Sequence, residues 1–331
     1  MNLQQRQEIL LLLSQYLSSQ PNSWKDAVLK AEQQNPWFTP EFIQLAVQSI
    51  NENFLQKDKL QQWIQHYHLT DSLQPKTIGI IMAGNIPLVG FHDFLCVFIT
   101  GHKQRIKLSG KDDVLLKHLA EQMTQWNPEM ATLISFEPML KDCDAYIATG
   151  SNNSARYFEY YFGRYPSIIR KNRTSVAVLT GNETTTELEL LADDIMTYFG
   201  LGCRNITQLH VPADYDFVPL LTALRKYSWM FNHHKYRNNY DYQLAIYLMN
   251  NKYYMTNDSI VLVENASPFS PIGTLHYFIY NNVEEVYTHL KTDEQIQAIA
   301  GAYGIPFGKA QQPSLMDYAD GVDVMQFLLG L

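Results

Sequence analysis

Hydrophobic positions in the first 70 residues recur at helical spacing. Gln5 to Leu13 and Trp24 to Ala31 place their apolar side chains along one face, as an amphipathic helix requires. Pro40 suits the first turn of a third helix through Phe42, Leu45, Ala46 and Ile50. This segment is rich in glutamine, poor in glycine, and reads as packing rather than chemistry.

From residue 76 the pattern changes. The run Thr77-Ile78-Gly79-Ile80-Ile81-Met82 predicts a buried strand, followed by the turn Ala83-Gly84-Asn85-Ile86. Pro87 then suits the start of a helix running through Phe91, Leu95 and Phe98 to a Gly101 cap. Gln104 to Leu108, Ala131 to Phe136, Asp144 to Ala148 and Thr174 to Leu179 read as further strands, with a helix over Asp112 to Trp126. Thr185 or Thr186 caps a helix with apolar positions Leu188, Leu191, Ala192, Ile195, Met196 and Phe199, expected to end at Gly200. Ile206 to Val211 predicts a strand, the chain to about 250 is helical, and strands follow at Ser259 to Val263 and Leu275 to Tyr280. Short strands separated by helices spell βαβ units, hence an α/β fold with parallel sheets.

A chain of 331 residues exceeds one ordinary core, so two α/β domains are expected. The expected boundaries are a helical segment over 1–75, one domain over 76–178, a second over 179–310, and a C-terminal segment over 311–331. That last segment either returns to the first domain or makes an oligomer contact, and its apolar run Val324 to Leu329 suits a buried end. Apolar residues at 46% and charged residues at 18% fit a large interior. The net charge of -8 argues against nucleic-acid binding, which needs clustered cations. Apolar stretches are far below the ~20 residues of a membrane span. The N-terminus lacks secretory character, and three cysteines make no disulfide framework. A cytoplasmic location is expected. The tyrosines crowded between Tyr227 and Tyr254 read as half-buried rings or as the lining of a tunnel or interface.

Of the three cysteines, Cys203 is placed as a reagent would be, in Gly200-Leu201-Gly202-Cys203-Arg204-Asn205. The glycines let backbone approach a ligand closely, and the neighbouring arginine favours the thiolate. Cys96 lies in an apolar run, where a thiol is a small hydrophobe, and Cys143 has no glycine or base beside it. No Gly-x-Gly-x-x-Gly follows a strand, no P-loop or Gly-x-Ser-x-Gly element occurs, and His66, His68, His233 and His234 lack partners at metal spacing. No metal site is expected.

Four elements occur in order: Ala83-Gly84-Asn85-Ile86-Pro87, Ile106-Lys107-Leu108-Ser109-Gly110, Thr149-Gly150-Ser151, and the cysteine turn about 50 residues on. That set resembles the aldehyde dehydrogenase superfamily. Met82 to Asp93 and Tyr318-Ala319-Asp320-Gly321-Val322-Asp323 look most like its LuxC-type acyl-CoA reductases, over about residues 76 to 331. The resemblance implies an aldehyde-dehydrogenase-like fold, with a Rossmann-like cofactor domain and a catalytic domain. It makes Cys203 the nucleophile and gives Asn85 an oxyanion-donor role beside the Cys203 backbone N–H, the kind of donor worth about 3 kcal/mol. It assigns Lys107 and Ser109 to the adenosine ribose, and Gly150 and Ser151 to a pyrophosphate site at a helix start.

Gly110 and Lys111 stand where NAD-preferring relatives carry an acidic residue, which makes NADPH the first choice and NADH the second. The superfamily's glutamate base has no counterpart in Ile169-Arg170-Lys171-Asn172-Arg173. Ser267-Pro268-Phe269-Ser270-Pro271 resembles a further element, with Phe269 near the nicotinamide, but lacks its ribose-binding glutamate. The implied reaction is NADPH-dependent reduction of an acyl-CoA or acyl-carrier thioester to an aldehyde through an S-acyl-cysteine. His92, His210 and His233 are candidates for the proton donor. Family habit implies a homo-oligomer, dimer or tetramer. Two other readings stay open: a cofactor-independent cysteine acyltransferase or thioesterase, and a non-catalytic member of the fold.

Overall fold

A computed structural model describes residues 1–71 and 74–331; residues 72 and 73, inside the expected helical segment, lie outside the described residues. The chain divides into two compact units. One comprises Met1–Asn172 with Pro313–Leu331, the other Arg173–Gln312. Thr174 to Val178, expected to close the first domain, belongs to the second unit, because its backbone pairs with strands of that unit's sheet.

The first unit opens with α1 (Leu3–Ser19), α2 (Asn22–Gln34), α3 (Pro40–Asn53) and α4 (Lys57–His66). Asn2 and Gln5 form a capping box on α1, and Thr39 with Pro40 starts α3. There follow β1 (Thr77–Ile81), α5 (Phe91–Thr100), β2 (Lys103–Lys107), α6 (Val114–Trp126), β3 (Ile134–Phe136), β4 (Ala145–Thr149), α7 (Asn152–Phe162) and β5 (Ser167–Arg170). The strands lie in the order β3-β2-β1-β4-β5, and every pair is parallel. Ile78, Ile80, Ala145, Ile147 and Ala148 are fully buried, as strands covered on both faces demand. The α5 helix is buried along nearly its whole length, through Phe94, Leu95, Cys96, Val97, Phe98 and Ile99.

The second unit holds β6 (Thr174–Val178), α8 (Thr185–Met196), β7 (Ile206–Pro212), α9 (Val218–Ala223), α10 (His234–Met249), β8 (Met255–Thr256), β9 (Val261–Glu264), β10 (Thr274–Tyr280), α11 (Val283–Thr292) and β11 (Ile296–Gly301). Its sheet runs β11-β6-β7-β10-β9-β8, parallel except for the β8–β9 pair. Thr184, rather than Thr185 or Thr186, caps α8, in a reciprocal box with Glu187. The chain then returns to the first unit, where α12 (Val324–Leu329) packs against α5 and buries Val324, Met325 and Leu328. A hydrogen-bond chain clasps this return: Trp63 Nε1 donates to the Tyr318 hydroxyl at 3.0 Å, Tyr318 to Tyr67 at 2.9 Å, and Tyr67 to Asp323 at 2.7 Å.

Candidate active site

Strand order sets a switch point in the first unit. From β1 the chain winds outward through β2 and β3, then restarts on the other side with β4 and β5. Adjacent β1 and β4 are therefore the topological switch point, where open α/β sheets bind ligands at their carboxyl ends. Ile81 aligns with both Lys107 and Ala148, so the loops after β1, β2 and β4 leave the sheet on one edge. Asn85, Lys107, Ser109, Gly150 and Ser151 all stand on that edge.

The loop after β1 is a built turn and not the first turn of α5. Leu88 sits at φ 55°, in the left-handed region, and the helix starts only at Phe91. Pro87 was expected at that start. What wins is Asp112, whose buried carboxylate accepts the Leu88 N–H at 2.8 Å. Burial pushes the Asp112 carboxyl up to about 7, against the lowering effect of that same bond. Met82 N–H donates to the Lys107 carbonyl at 3.0 Å, and Gly84 lies so close to Ser109 that an added Cβ would be 2.6 Å from the serine Cβ. Asn85 is half-buried on this loop, and Lys107 is exposed.

The loop after β2 is steadied by the end of α2. Asn35 Nδ2 donates to the Lys111 carbonyl at 3.1 Å, and Gln34 Nε2 to the Gly110 carbonyl at 3.2 Å and to Asp113 at 2.7 Å. The N-terminal helices therefore touch the candidate cofactor loop, which the sequence pattern did not suggest. After β4, Ser151 caps α7, its Oγ accepting the Ser154 N–H at 3.2 Å. Gly150 has no room for a side chain, since a Cβ there would meet Phe158 at 2.8 Å and Ser154 at 2.9 Å. The result is a helix N-terminus brought close to a strand end, with N–H groups suited to an anion.

Arg170, in the stretch without a glutamate base, is buried at the end of β5. It grips Asp93 of α5 with both terminal nitrogens, at 2.5 and 3.0 Å. Burial opposes the guanidinium charge, and Asp93 more than restores it, so the Arg170 pKa is raised.

In the second unit the cysteine turn is strained and fixed. Helix α8 stops at Met196, short of the expected Gly200, and Tyr198, Phe199 and Gly200 adopt φ of 55, 56 and 73°. Side chains with a Cβ resist that region by roughly 1–2 kcal/mol each, so packing must hold them there. Phe199 is buried against the rings of His233 at 4.6 Å, Tyr236 at 5.7 Å and Trp229 at 6.2 Å. Beyond the left-handed run, the Cys203 carbonyl accepts from Ser175 Oγ at 3.0 Å. The buried Asn205 accepts the Gly202 N–H at 2.8 Å.

Cys203 is half-exposed, whereas Cys96 and Cys143 are buried. Burial raises both of those thiols and keeps them neutral. Phe269 is half-buried on the loop between β9 and β10. That loop hangs on the strand that follows the cysteine. Thr207 Oγ1 donates to the Pro268 carbonyl at 2.5 Å, and Gln208 Nε2 to the Asn265 carbonyl at 2.8 Å.

The candidate histidines have other work. His92 bonds the Leu315 carbonyl at 3.1 Å and lies among the rings of Phe54, Trp63 and Tyr318. His210 is buried in β7, and desolvation drives its pKa down to about 4. His233 caps α10, its Nδ1 accepting the Tyr236 N–H at 3.3 Å. Among the described residues no group of His, Cys, Asp and Glu could hold a metal ion, and no helix is long and apolar enough to cross a membrane.

No protein-family model and no curated protein matches the chain. Solved structures do. An aldehyde dehydrogenase from Physcomitrella patens, in complex with the reaction product succinate, superimposes with TM-score 0.66 at 11% identity, covering 91% of this chain and 74% of that one. The NAD+ complex of an aldehyde dehydrogenase from Bacillus cereus gives 0.64 at 12% identity, covering 91% and 72%. AldA, an indole-3-acetaldehyde dehydrogenase from P. syringae solved with NAD+ and IAA, gives 0.64 at 13%, covering 91% and 72%. The chain has the aldehyde-dehydrogenase-like fold.

Proposed function

We propose that the chain is a LuxC-like reductase that takes an acyl-CoA or acyl-carrier thioester to an aldehyde with NADPH. The observation that carries the reading is the cysteine turn: one half-exposed thiol on a strained loop tied down by Asn205 and Ser175, in a fold whose solved examples are aldehyde dehydrogenases.

The edge of the first sheet fits a dinucleotide. Backbone runs close at Gly84 and Gly150, α7 presents its N-terminus, and a Cβ at Gly110 would meet nothing within 4 Å. Lys107 and Ser109 would hold the adenosine ribose, and Gly150 and Ser151 the pyrophosphate. The open space at Gly110 beside Lys111 suits a 2′-phosphate. When bound, the reduced nicotinamide supplies hydride, and Phe269 is proposed to pack near its ring.

Cys203 Sγ attacks the thioester carbonyl and expels the thiol, leaving an S-acyl cysteine. Once the acyl group has been reduced, the Cys203 N–H would stabilise the oxyanion of the thiohemiacetal, which collapses to aldehyde and free thiolate; the resemblance gives Asn85 the second oxyanion-donor role. Water attack on the acyl group is disfavoured because the stretch Ile169-Arg170-Lys171-Asn172-Arg173, which matches that of the family's glutamate base, carries no carboxylate.

The test is NADPH consumption at 340 nm with short, medium and long acyl-CoA. Turnover dependent on acyl-CoA and abolished in Cys203→Ala, with NADPH binding retained, supports the reading. Sustained release of coenzyme A without NADPH, beyond the one equivalent that loads Cys203, makes the chain a cysteine acyltransferase or thioesterase. No reaction with any chain length overturns the enzyme assignment.

A further inference from the structure

The residue around which the cysteine turn is built is Asn205. It is fully buried, at 0% exposure. Its Oδ1 accepts the Gly202 N–H at 2.8 Å. Its Nδ2 donates to the carbonyls of Asp194, Ile195 and Thr197 at 3.0, 3.2 and 2.8 Å. Its own N–H donates to the Gly202 carbonyl at 3.1 Å, and its carbonyl accepts the Ser175 N–H at 3.2 Å.

The carbonyls of Asp194 and Ile195 are among those that the end of α8 leaves without a partner inside the helix. One side-chain amide therefore joins the end of the helix to Gly202, spanning the left-handed run between Thr197 and the residue before Cys203. We propose that Asn205 is the positioning residue for the Cys203 thiol: it touches no substrate, but holds Gly202 from both sides, its side chain at the Gly202 N–H and its backbone N–H at the Gly202 carbonyl, and with Gly202 the aim of Sγ and of the Cys203 N–H. This rests on the reading of Cys203 as nucleophile.

The chemistry is specific to an amide. The site needs one acceptor facing an N–H and donors facing three carbonyls, at one side-chain length. Aspartate has the same shape but sets a second acceptor against those carbonyls. Serine keeps one acceptor and one donor. Glutamine carries the right groups one methylene too far.

The decisive experiment compares wild type with Asn205→Asp, Asn205→Ser and Asn257→Ala. Asn257 is the comparator because its amide serves a different turn, accepting from Ser259 and Ile260 N–H at 3.1 and 3.2 Å and donating to the Leu221 carbonyl at 3.0 Å. Three quantities are read: the single-turnover rate of coenzyme A release from acyl-CoA, the NADPH dissociation constant, and the melting temperature.

Asn205→Asp is expected to slow acylation about 100-fold, since displacement of a reacting atom by about 1 Å costs that much. Asn205→Ser should slow it about tenfold. NADPH affinity should stay within about twofold in both. Asn257→Ala should lower the melting temperature without slowing acylation. Folded Asn205 variants that acylate at the wild-type rate, or slow no more than Asn257→Ala does, overturn the proposal.

Alkylation by iodoacetamide, read on the Cys203 peptide by mass spectrometry across pH 6–9, decides the matter independently of turnover. A tenfold change in either Asn205 variant supports the proposal, and an unchanged profile overturns it. Wild-type protein that releases no coenzyme A sinks the acyl reading alone, and the alkylation profile then decides on Asn205.

Discussion

Replacing Gly84 by alanine tests whether the loops after β1 and β2 form one rigid cradle. The added methyl carbon would lie 2.6 Å from Ser109 Cβ, 2.7 Å from Ser109 Oγ and 3.2 Å from the Asp112 backbone nitrogen. The nearer atoms belong to a short side chain on a held loop, so the two strand ends must part. Overpacking of this kind costs about 1–3 kcal/mol. In a unit of this size each kcal/mol lowers the melting temperature by about 2–4 °C. Gly110→Ala is the matched control, with nothing within 4 Å of the new methyl, and should change stability by less than about 0.5 kcal/mol. Thermal unfolding measures the cost, and a fluorescence titration with NADPH measures the damage to the cradle, expected to be severalfold for Gly84→Ala alone. Adding Ser109→Gly removes both nearer atoms and should restore more than half of the lost stability. The recovery is read by unfolding, because Ser109 is itself assigned to the cofactor. If Gly84→Ala matches Gly110→Ala in both assays, or the second substitution restores nothing, the close packing of these loops is refuted.

Gly110→Asp should lower the ratio of kcat/KM for NADPH over NADH by about tenfold or more, because the new carboxylate repels a 2′-phosphate; an unchanged ratio would place the phosphate elsewhere. Asp112 gives a pH signature. Its carboxyl is raised from 3.8 to about 7 in the folded protein, so the folded form holds the proton more tightly than the unfolded chain. Its stabilising contribution is complete below about pH 4 and is lost as pH rises through about 7. Urea unfolding at pH 5 and pH 8 should show wild type losing stability relative to Asp112→Asn, by about 2.5 kcal/mol; parallel behaviour of the two proteins would contradict it.

The strands of both sheets were legible where they are continuous apolar runs, as in β1, β4 and β6, since a parallel strand covered on both faces leaves no alternation to confuse. Helix α7 escaped the pattern. Its inward side rests on Ala155 while Tyr157, Tyr160 and Tyr161 face solvent. Strand β5 escaped because it is four residues long and ends in a buried arginine, whose charge partner Asp93 lies 77 positions earlier. Strand β11 is interrupted by a register shift between Ile296 and Ile299.

The candidate site divides in the same way. Cys203 stood out by its glycine neighbours. Asn205 carried no signal of its own in the sequence, because its partners are carbonyls exposed only when α8 ends early. That early end is set by rings distant in sequence, Trp229, His233 and Tyr236, closing on Phe199. Likewise Asp112 looked like the start of a helix, and its hold on Leu88 depends on two loops meeting across neighbouring strands.

The first unit is interrupted by the second, and its closing clasp joins residues 255 and 256 positions apart, Trp63 to Tyr318 and Tyr67 to Asp323. During synthesis the first unit's sheet must therefore wait, with the face of α5 that receives α12 uncovered, while the whole inserted unit is made. Loop entropy grows only slowly with length, so the delay is chiefly one of time and not of final stability. The residues that cover that apolar face are made only after the inserted unit.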